Sequence, residues 1–290
     1  MQQVLGIFLV VGILLAGYQL FSPGELSYPE PKEEETKQED PPSQYSSIFA
    51  SFTAWLDGLE KESGVQAIPE SLSEEELKEL FQQGLDSYNS AKYEDCISQY
   101  DRYIAINSKN TSAFYNRGLA KYSLKRYAEA ETDFDYAYSL DSNNLDALSY
   151  RGLSKISLER SEEGIKDLDL AIDSGLNKSY VFAERAIQLS ASGKTREGVR
   201  DAEKAVELAP KYARAIFSQG YAYYSAKKYR ESIGAYTRVL AILPDDSISY
   251  FNRGLGYAIL KQKANACLDY KKAWDLGYDP AEKEYKDLCK

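Results

Sequence analysis

Residues 111–144 read TSAFYNRGLAKYSLKRYAEAETDFDYAYSLDSNN, and two interleaved patterns run through them. With Thr111 as position 1, small residues fall at positions 8 (Gly118), 20 (Ala130) and 27 (Ala137). Large apolar or aromatic residues fall at positions 4 (Phe114), 12 (Tyr122), 17 (Tyr127), 24 (Phe134) and 30 (Leu140). That period is helical, so the stretch predicts two amphipathic helices broken near Lys125 and Arg126. Gly118 on the first and Ala130 on the second allow the two backbones to approach where they face each other. Neither helix covers its apolar stripe alone, and the pair needs a neighbour on each side.

Stepping by 34 residues finds those neighbours without an insertion. Position 8 reads Gly84, Gly118, Gly152, Ala186, Gly220, Gly254, and position 20 reads Cys96, Ala130, Gly164, Gly198, Ser232, Ala266. Position 27 reads Tyr103, Ala137, Ala171, Ala205, Val239, Ala273. Position 24 is aromatic at Tyr100, Phe134, Tyr236 and Tyr270, and a terminating proline stands at Pro210 and Pro244. The pattern resembles the tetratricopeptide repeat family, whose repeat has this length and spacing. It divides 77–280 into six repeats: 77–110, 111–144, 145–178, 179–212, 213–246 and 247–280. The resemblance implies an all-α, right-handed superhelical solenoid of helix-turn-helix repeats. It also implies a concave groove lined by the first helix of each pair, and binding of another protein's peptide or helix rather than catalysis or a cofactor. Residues 281–290 read as a helix covering the last repeat, as solenoid ends require.

By that resemblance the groove takes positions 2, 5, 9, 12 and 13 of the first helices. Here they supply Phe81, Leu85, Tyr88, Tyr115, Leu119, Tyr122, Leu153, Ile187, Phe217, Tyr221, Tyr224, Phe251 and Leu255, with Asn116, Arg214 and Asn252 as a polar fringe. Some of these rings are candidates for core instead. An apolar, tyrosine-rich row suits an amphipathic helix or an aromatic anchor. The family's chaperone-binding members hold a terminal carboxylate with Lys, Asn and Arg. Asn116 and Asn252 stand at the asparagine position, but the basic residues that complete the clamp are missing around them.

A second constellation comes from the residues themselves. Position 7 is Arg117, Arg151, Arg185 and Arg253, and position 23 of the same repeats is Asp133, Asp167, Asp201 and Asp269. Where position 7 is Gln83 or Gln219, position 23 is Gln99 or Ala235. These positions face each other across an antiparallel hairpin, which predicts four Arg–Asp pairs stapling the helices, with a catalytic or anion-binding row of arginines as the alternative. Repeats three and four depart from the pattern, with Gly164 and Gly198 inside helices and Leu168 and Ala202 in place of rings. The expectation is softer packing there.

Composition narrows the function further. The chain is 290 residues long with a net charge of −10, yet Pro23–Glu76 alone holds 14 acidic and 3 basic residues. The repeats are therefore near neutral, which argues against nucleic-acid binding. There is no histidine, which removes His triads, proton shuttles and His metal sites. Three cysteines without a CxxC motif argue against a disulfide scaffold. Cys96 reads as a buried thiol, and Cys267 and Cys289 as reduced, with a bridge between them as the geometrically conceivable alternative.

Residues 4–21, VLGIFLVVGILLAGYQLF, carry no charge and as a helix would span about 27 Å. They read as an uncleaved single-pass anchor, with a cleaved signal as the alternative. Residues 22–45 read as an acidic, proline-rich disordered spacer, and 46–62 as an amphipathic helix presenting Phe49, Phe52, Trp55 and Leu59. That helix either caps the first repeat or enters the groove. The expectation is a membrane-anchored scaffold or assembly factor with its repeats on the outer side of a bacterial membrane. A co-chaperone or import receptor facing the cytosol from an organelle is the alternative.

Overall fold

The computed structural model describes residues 72–290, so the anchor, spacer and amphipathic-helix readings at 4–21, 22–45 and 46–62 lie outside the described residues. Among the described residues all regular structure is helical, and none of those helices is long and apolar enough to cross a membrane. In order they are α1 (Glu74–Asn89), α2 (Tyr93–Ile106), α3 (Thr111–Ser123), α4 (Tyr127–Leu140), α5 (Leu145–Ser157), α6 (Ser161–Asp173) and α7 (Ser179–Ala191). Then come α8 (Thr195–Leu208), α9 (Ala213–Ser225), α10 (Tyr229–Ile242), α11 (Ser247–Ile259), α12 (Lys263–Asp275) and α13 (Pro280–Cys289). From α3 and α4 onward, first and second helices of the pairs begin at 34-residue intervals, the period of the sequence. There are two compact units, an N-terminal one ending at Asp167 and a C-terminal one beginning at Leu168.

Local chemistry sets the helix limits. Ser73 begins α1 with a reciprocal capping box: its Oγ accepts from the Glu76 N–H at 3.2 Å, and its own N–H donates to Glu76 Oε2 at 2.8 Å. Asn110 and Asn144 cap α3 and α5 by accepting from the Ala113 and Ala147 N–H groups. The turn inside each pair is closed by one residue in the left-handed region: Ala91, Lys125, Glu159, Lys227 and Lys261, all with φ between 56° and 63°, and Gly193 at 86°. Five of these six residues pay the steric cost of a Cβ in that region, about 1–2 kcal/mol each. The hairpin holds them there, since Lys125 N–H bonds Tyr122 O and Arg126 N–H bonds Lys121 O, both at 2.9 Å.

Within a hairpin the position-8 glycine lies under the position-24 ring. In the N-terminal unit a Cβ on Gly84 or Gly118 would stand 2.7 Å from the Tyr100 ring or 2.8 Å from the Phe134 ring. In the C-terminal unit a Cβ on Gly254 would stand 2.8 Å from Tyr270. Tyr100, Phe134, Tyr236 and Tyr270 are all 1% exposed or less, so these rings form the core.

Gly164 and Gly198, the helix glycines of repeats three and four, stand against close neighbours. A Cβ on Gly164 would sit 2.5 Å from the Gly152 carbonyl oxygen, and one on Gly198 2.1 Å from Ser190 Oγ. Both glycines mark close helix contacts. Where the ring is absent the helices move together and fill its space.

A difference concerns the cysteines. Cys96 is the buried thiol expected, but Cys267 of α12 and Cys289 of α13 are joined in a disulfide, with Cα atoms 5.7 Å apart. The two residues, 22 apart in sequence, meet because α13 folds back on α12. Closing that loop stabilises the unit by about 3 kcal/mol in the chain-entropy view. The cap also packs Ala281 and Tyr278 into the core and stacks Tyr285 near Trp274, with ring centroids 6.0 Å apart.

Gly118→Ala is expected to cost about 1–3 kcal/mol, because the buried Phe134 ring has nowhere to move. Gly234→Ala, on an open helix face with nothing within 4 Å, should instead gain about 0.5–1 kcal/mol. Urea unfolding of the two variants checks this, and a loss at both sites would contradict it.

Candidate functional site

The position-7 arginines reach the position-23 aspartates. In the N-terminal unit Arg117 donates to Asp133 from Nε at 2.9 Å and from Nη2 at 2.6 Å, and Arg151 makes the same fork on Asp167 at 2.9 and 2.8 Å. In the C-terminal unit Arg185 forks onto Asp201 at 2.6 and 3.1 Å, and Arg253 onto Asp269 at 2.8 Å twice. Each guanidinium also carries a contact that sequence reasoning missed. Its Nη1 turns back to the second helix of the preceding hairpin: Asp101 and Asp135 at 2.5 Å, Asp169 at 2.7 Å, and Thr237 Oγ1 at 3.2 Å. The signal was present, as each of these partners lies 16 residues before its arginine. One planar fork thus ties its own hairpin and the one before it.

Lys121 and Lys155 add a third donor to Asp133 and Asp167, at 2.8 and 2.7 Å. Burial works against the charge on Arg117, and the Asp133 and Asp101 carboxylates outweigh it, holding the guanidinium more firmly protonated than usual. These side chains are committed to structure.

The expected groove residues divide between the units. In the N-terminal unit Phe81, Leu85, Tyr88, Tyr115, Asn116 and Tyr122 are half-buried, while Leu119 and Leu153 are core. In the C-terminal unit Ile187, Arg214, Phe217, Tyr221, Phe251 and Asn252 are buried, and only Tyr224 and Leu255 of the row keep part of their surface. The polar fringe is largely spent internally. Arg214 forks onto Glu184 at 2.6 and 2.8 Å, and Asn116 Nδ2 donates to Tyr100 OH at 3.1 Å. Asn252 Nδ2 is buried without a hydrogen-bond partner among the described residues.

What stays accessible is a tyrosine face on α1 and α3. Tyr122 meets Tyr127 edge-on at 5.2 Å, Tyr88 meets Tyr93 at 5.5 Å, and Tyr115 meets the Tyr150 ring at 6.1 Å. Ring edges packed this way fix the tyrosines in place and leave apolar surface with hydroxyls at its margin. Burial pushes the Tyr88 hydroxyl up to about 12 and Tyr115 well above its ordinary range. Both are neutral donors at physiological pH. The arrangement can bind by apolar contact and neutral hydrogen bonds.

Residues 81–144 and 184–247 match the model of the tetratricopeptide repeat family. Tetratricopeptide repeats are thus present in both units. No curated protein sequence matches the chain. Among solved structures it is similar to YrrB, described as a tetratricopeptide repeat protein with an unusual peptide-binding site, with 20% identity and a TM-score of 0.52 over 65% of this chain and 98% of that one. It is similar to PilF of Pseudomonas aeruginosa at 17% identity and a TM-score of 0.62, over 73% and 96%. A chain of the Cut9–Hcn1 hetero-tetramer of the APC/C gives 12% identity and a TM-score of 0.69 over 84% of this chain and 47% of its own length. Likeness at these identities is likeness of fold.

Two outcomes are expected. Arg151→Leu strips a fork from Asp167 and a donor from Asp135, and should lose about 1–3 kcal/mol more than Gln219→Leu; equal melting temperatures would contradict the staple. Burial also holds Tyr88, Tyr221, Tyr224 and Tyr278 at about 12, against about 10 in an unfolded chain. The stability this provides is whole below pH about 10 and is lost between about 10 and 12, as unfolded tyrosines shed protons that the folded chain keeps. Urea midpoints followed with tyrosinate absorbance across that window should fall, and a flat profile would refute it.

Proposed function

We propose that this protein is a membrane-anchored scaffold or assembly factor that binds a peptide or amphipathic helix of another protein against the first helices of its hairpins. The observation that carries this is the half-buried tyrosine face of α1 and α3, with Tyr88, Tyr115 and Tyr122 held by neighbouring rings. Rigid aromatic surface of that kind costs little entropy to dock against. The peptide-binding site of YrrB, a protein of similar fold, supports the same use.

Residues 4–21 are the anchor in this proposal, with the repeats on the outer side of a bacterial membrane. The Cys267–Cys289 bridge supports that side, because disulfides persist in oxidising compartments and are rare in the cytosol. A cytosol-facing receptor would keep both thiols reduced.

Affinity capture with the full chain, read by mass spectrometry, should return a protein that the double variant Tyr88→Ala, Tyr122→Ala retains at least about tenfold less, the order expected on losing two aromatic anchors. Undiminished capture by that variant would overturn the site. Protease digestion of intact cells reports the side separately, with the repeats cut from outside if the proposal holds.

A further inference from the structure

The near-neutral charge of the repeats is a cancellation. Residues 72–167 hold 18 acidic and 12 basic residues, whereas 168–290 hold 16 acidic and 20 basic. The basic excess of the C-terminal unit gathers at the turns inside its hairpins. The segments KTREG (194–198), KKYRE (227–231) and KQK (261–263) carry seven cations against two carboxylates. They occupy matching positions of three successive hairpins, at the starts of α8, α10 and α12. All seven cations are exposed. Among the described residues, Lys194, Arg196, Lys227, Arg230, Lys261 and Lys263 make no ion pair, and neither do Glu197 and Glu231. Lys228 lies over the Tyr223 ring at 5.4 Å.

Two of the same turns of the N-terminal unit, those at Arg126 and Arg160, are neutralised. Arg126 forks onto Glu129 at 2.7 and 2.6 Å and reaches Glu94 of the preceding hairpin at 3.2 Å. Arg160 forks onto Glu163 at 2.9 and 2.6 Å and takes Glu131 of the preceding hairpin at 2.9 and 2.8 Å. Those contacts show what these turn positions accept: carboxylates, two at a time, one of them from the neighbouring hairpin. They also show that successive turns lie within one side chain's reach. In the C-terminal unit the neighbour's carboxylates are gone. Arg196 and Arg230 stand at the repeat position of Glu94, and Val199 and Ile233 at that of Glu131. Glu197 and Glu231 keep the repeat position of Glu129 and Glu163, but the neighbouring hairpin supplies cations or apolar residues in place of its carboxylates.

We infer that the turn edge at Lys194, Arg196, Lys227, Arg230, Lys261 and Lys263 is a docking surface for an extended acidic segment of a partner protein. Arginine forks and lysine point charges set one hairpin apart match carboxylates strung along an extended chain. The surface is separate from the tyrosine face and does not depend on its role. Exposed pairs of this kind direct encounter and are weakened by salt, so the contact acts through several charges together.

The test uses the full chain and a fluorescent decaglutamate peptide, with anisotropy measured at low and at high salt. Binding should appear at low salt and fade at high salt. The triple variant Arg196→Gln, Arg230→Gln, Lys263→Gln should weaken it about tenfold. A control triple with the same charge change, Lys78→Gln, Arg102→Gln, Lys166→Gln, should leave it nearly unchanged, as should Tyr88→Ala with Tyr122→Ala. All these residues except the two tyrosines are exposed, so circular dichroism should show the triples folded. Absence of peptide binding, equal weakening by both triples, or retention on phosphatidylserine vesicles without peptide binding would each overturn the inference.

Discussion

A glycine lying against an aromatic ring sets the distance between the two helices of a hairpin, and the rest of the structure follows from that distance. At Gly118 the space for a Cβ is already taken by Phe134. The ring is fully buried because the backbone comes that close. At Gly164 and Gly198 there is no ring, and the helices close until backbone or hydroxyl oxygen fills the gap. Two different packings thus yield one repeat length, because interiors tolerate neither voids nor overlap. The turn pays for the closeness, with Lys125 and four other non-glycine residues held in the left-handed region.

Within each unit, a position-7 arginine ties its hairpin to the one before it. A Lys at that position could satisfy one carboxylate, but only a planar fork with donors to spare can hold Asp133 and Asp101 at once. Repeat five lacks the device. There Gln219 takes the position, Ala235 faces it, and the carboxylate of Glu203 is bonded by Tyr223 OH at 3.0 Å instead. The arginines are consumed by this work, so the row of four in register serves structure.

In the C-terminal unit α13 packs against the α11–α12 hairpin through Ala281 and Tyr285, with Tyr278 of the preceding turn buried beside them. A ten-residue helix buries little by itself. The Cys267–Cys289 bridge supplies what so short an element lacks in packing.

Much of this was legible in the sequence, because it depends on residue type at fixed spacing. The 34-residue period, the hairpin halves and the Arg–Asp register all follow from local periodicity, and the structure has each of them. Three things were decided only by tertiary packing. The back-reaching contact of each arginine depends on how one hairpin lies on the last, a distance that no single repeat encodes. The pairing of Cys267 with Cys289 depends on α13 folding back, whereas cysteine count and spacing pointed to free thiols. The division of the groove row into half-buried Tyr88, Tyr115 and Tyr122 and buried Phe217, Tyr221 and Phe251 depends on how deeply each neighbour covers the first helix. Sequence period fixes which face a side chain takes, but the depth of that face is set by the elements packed against it.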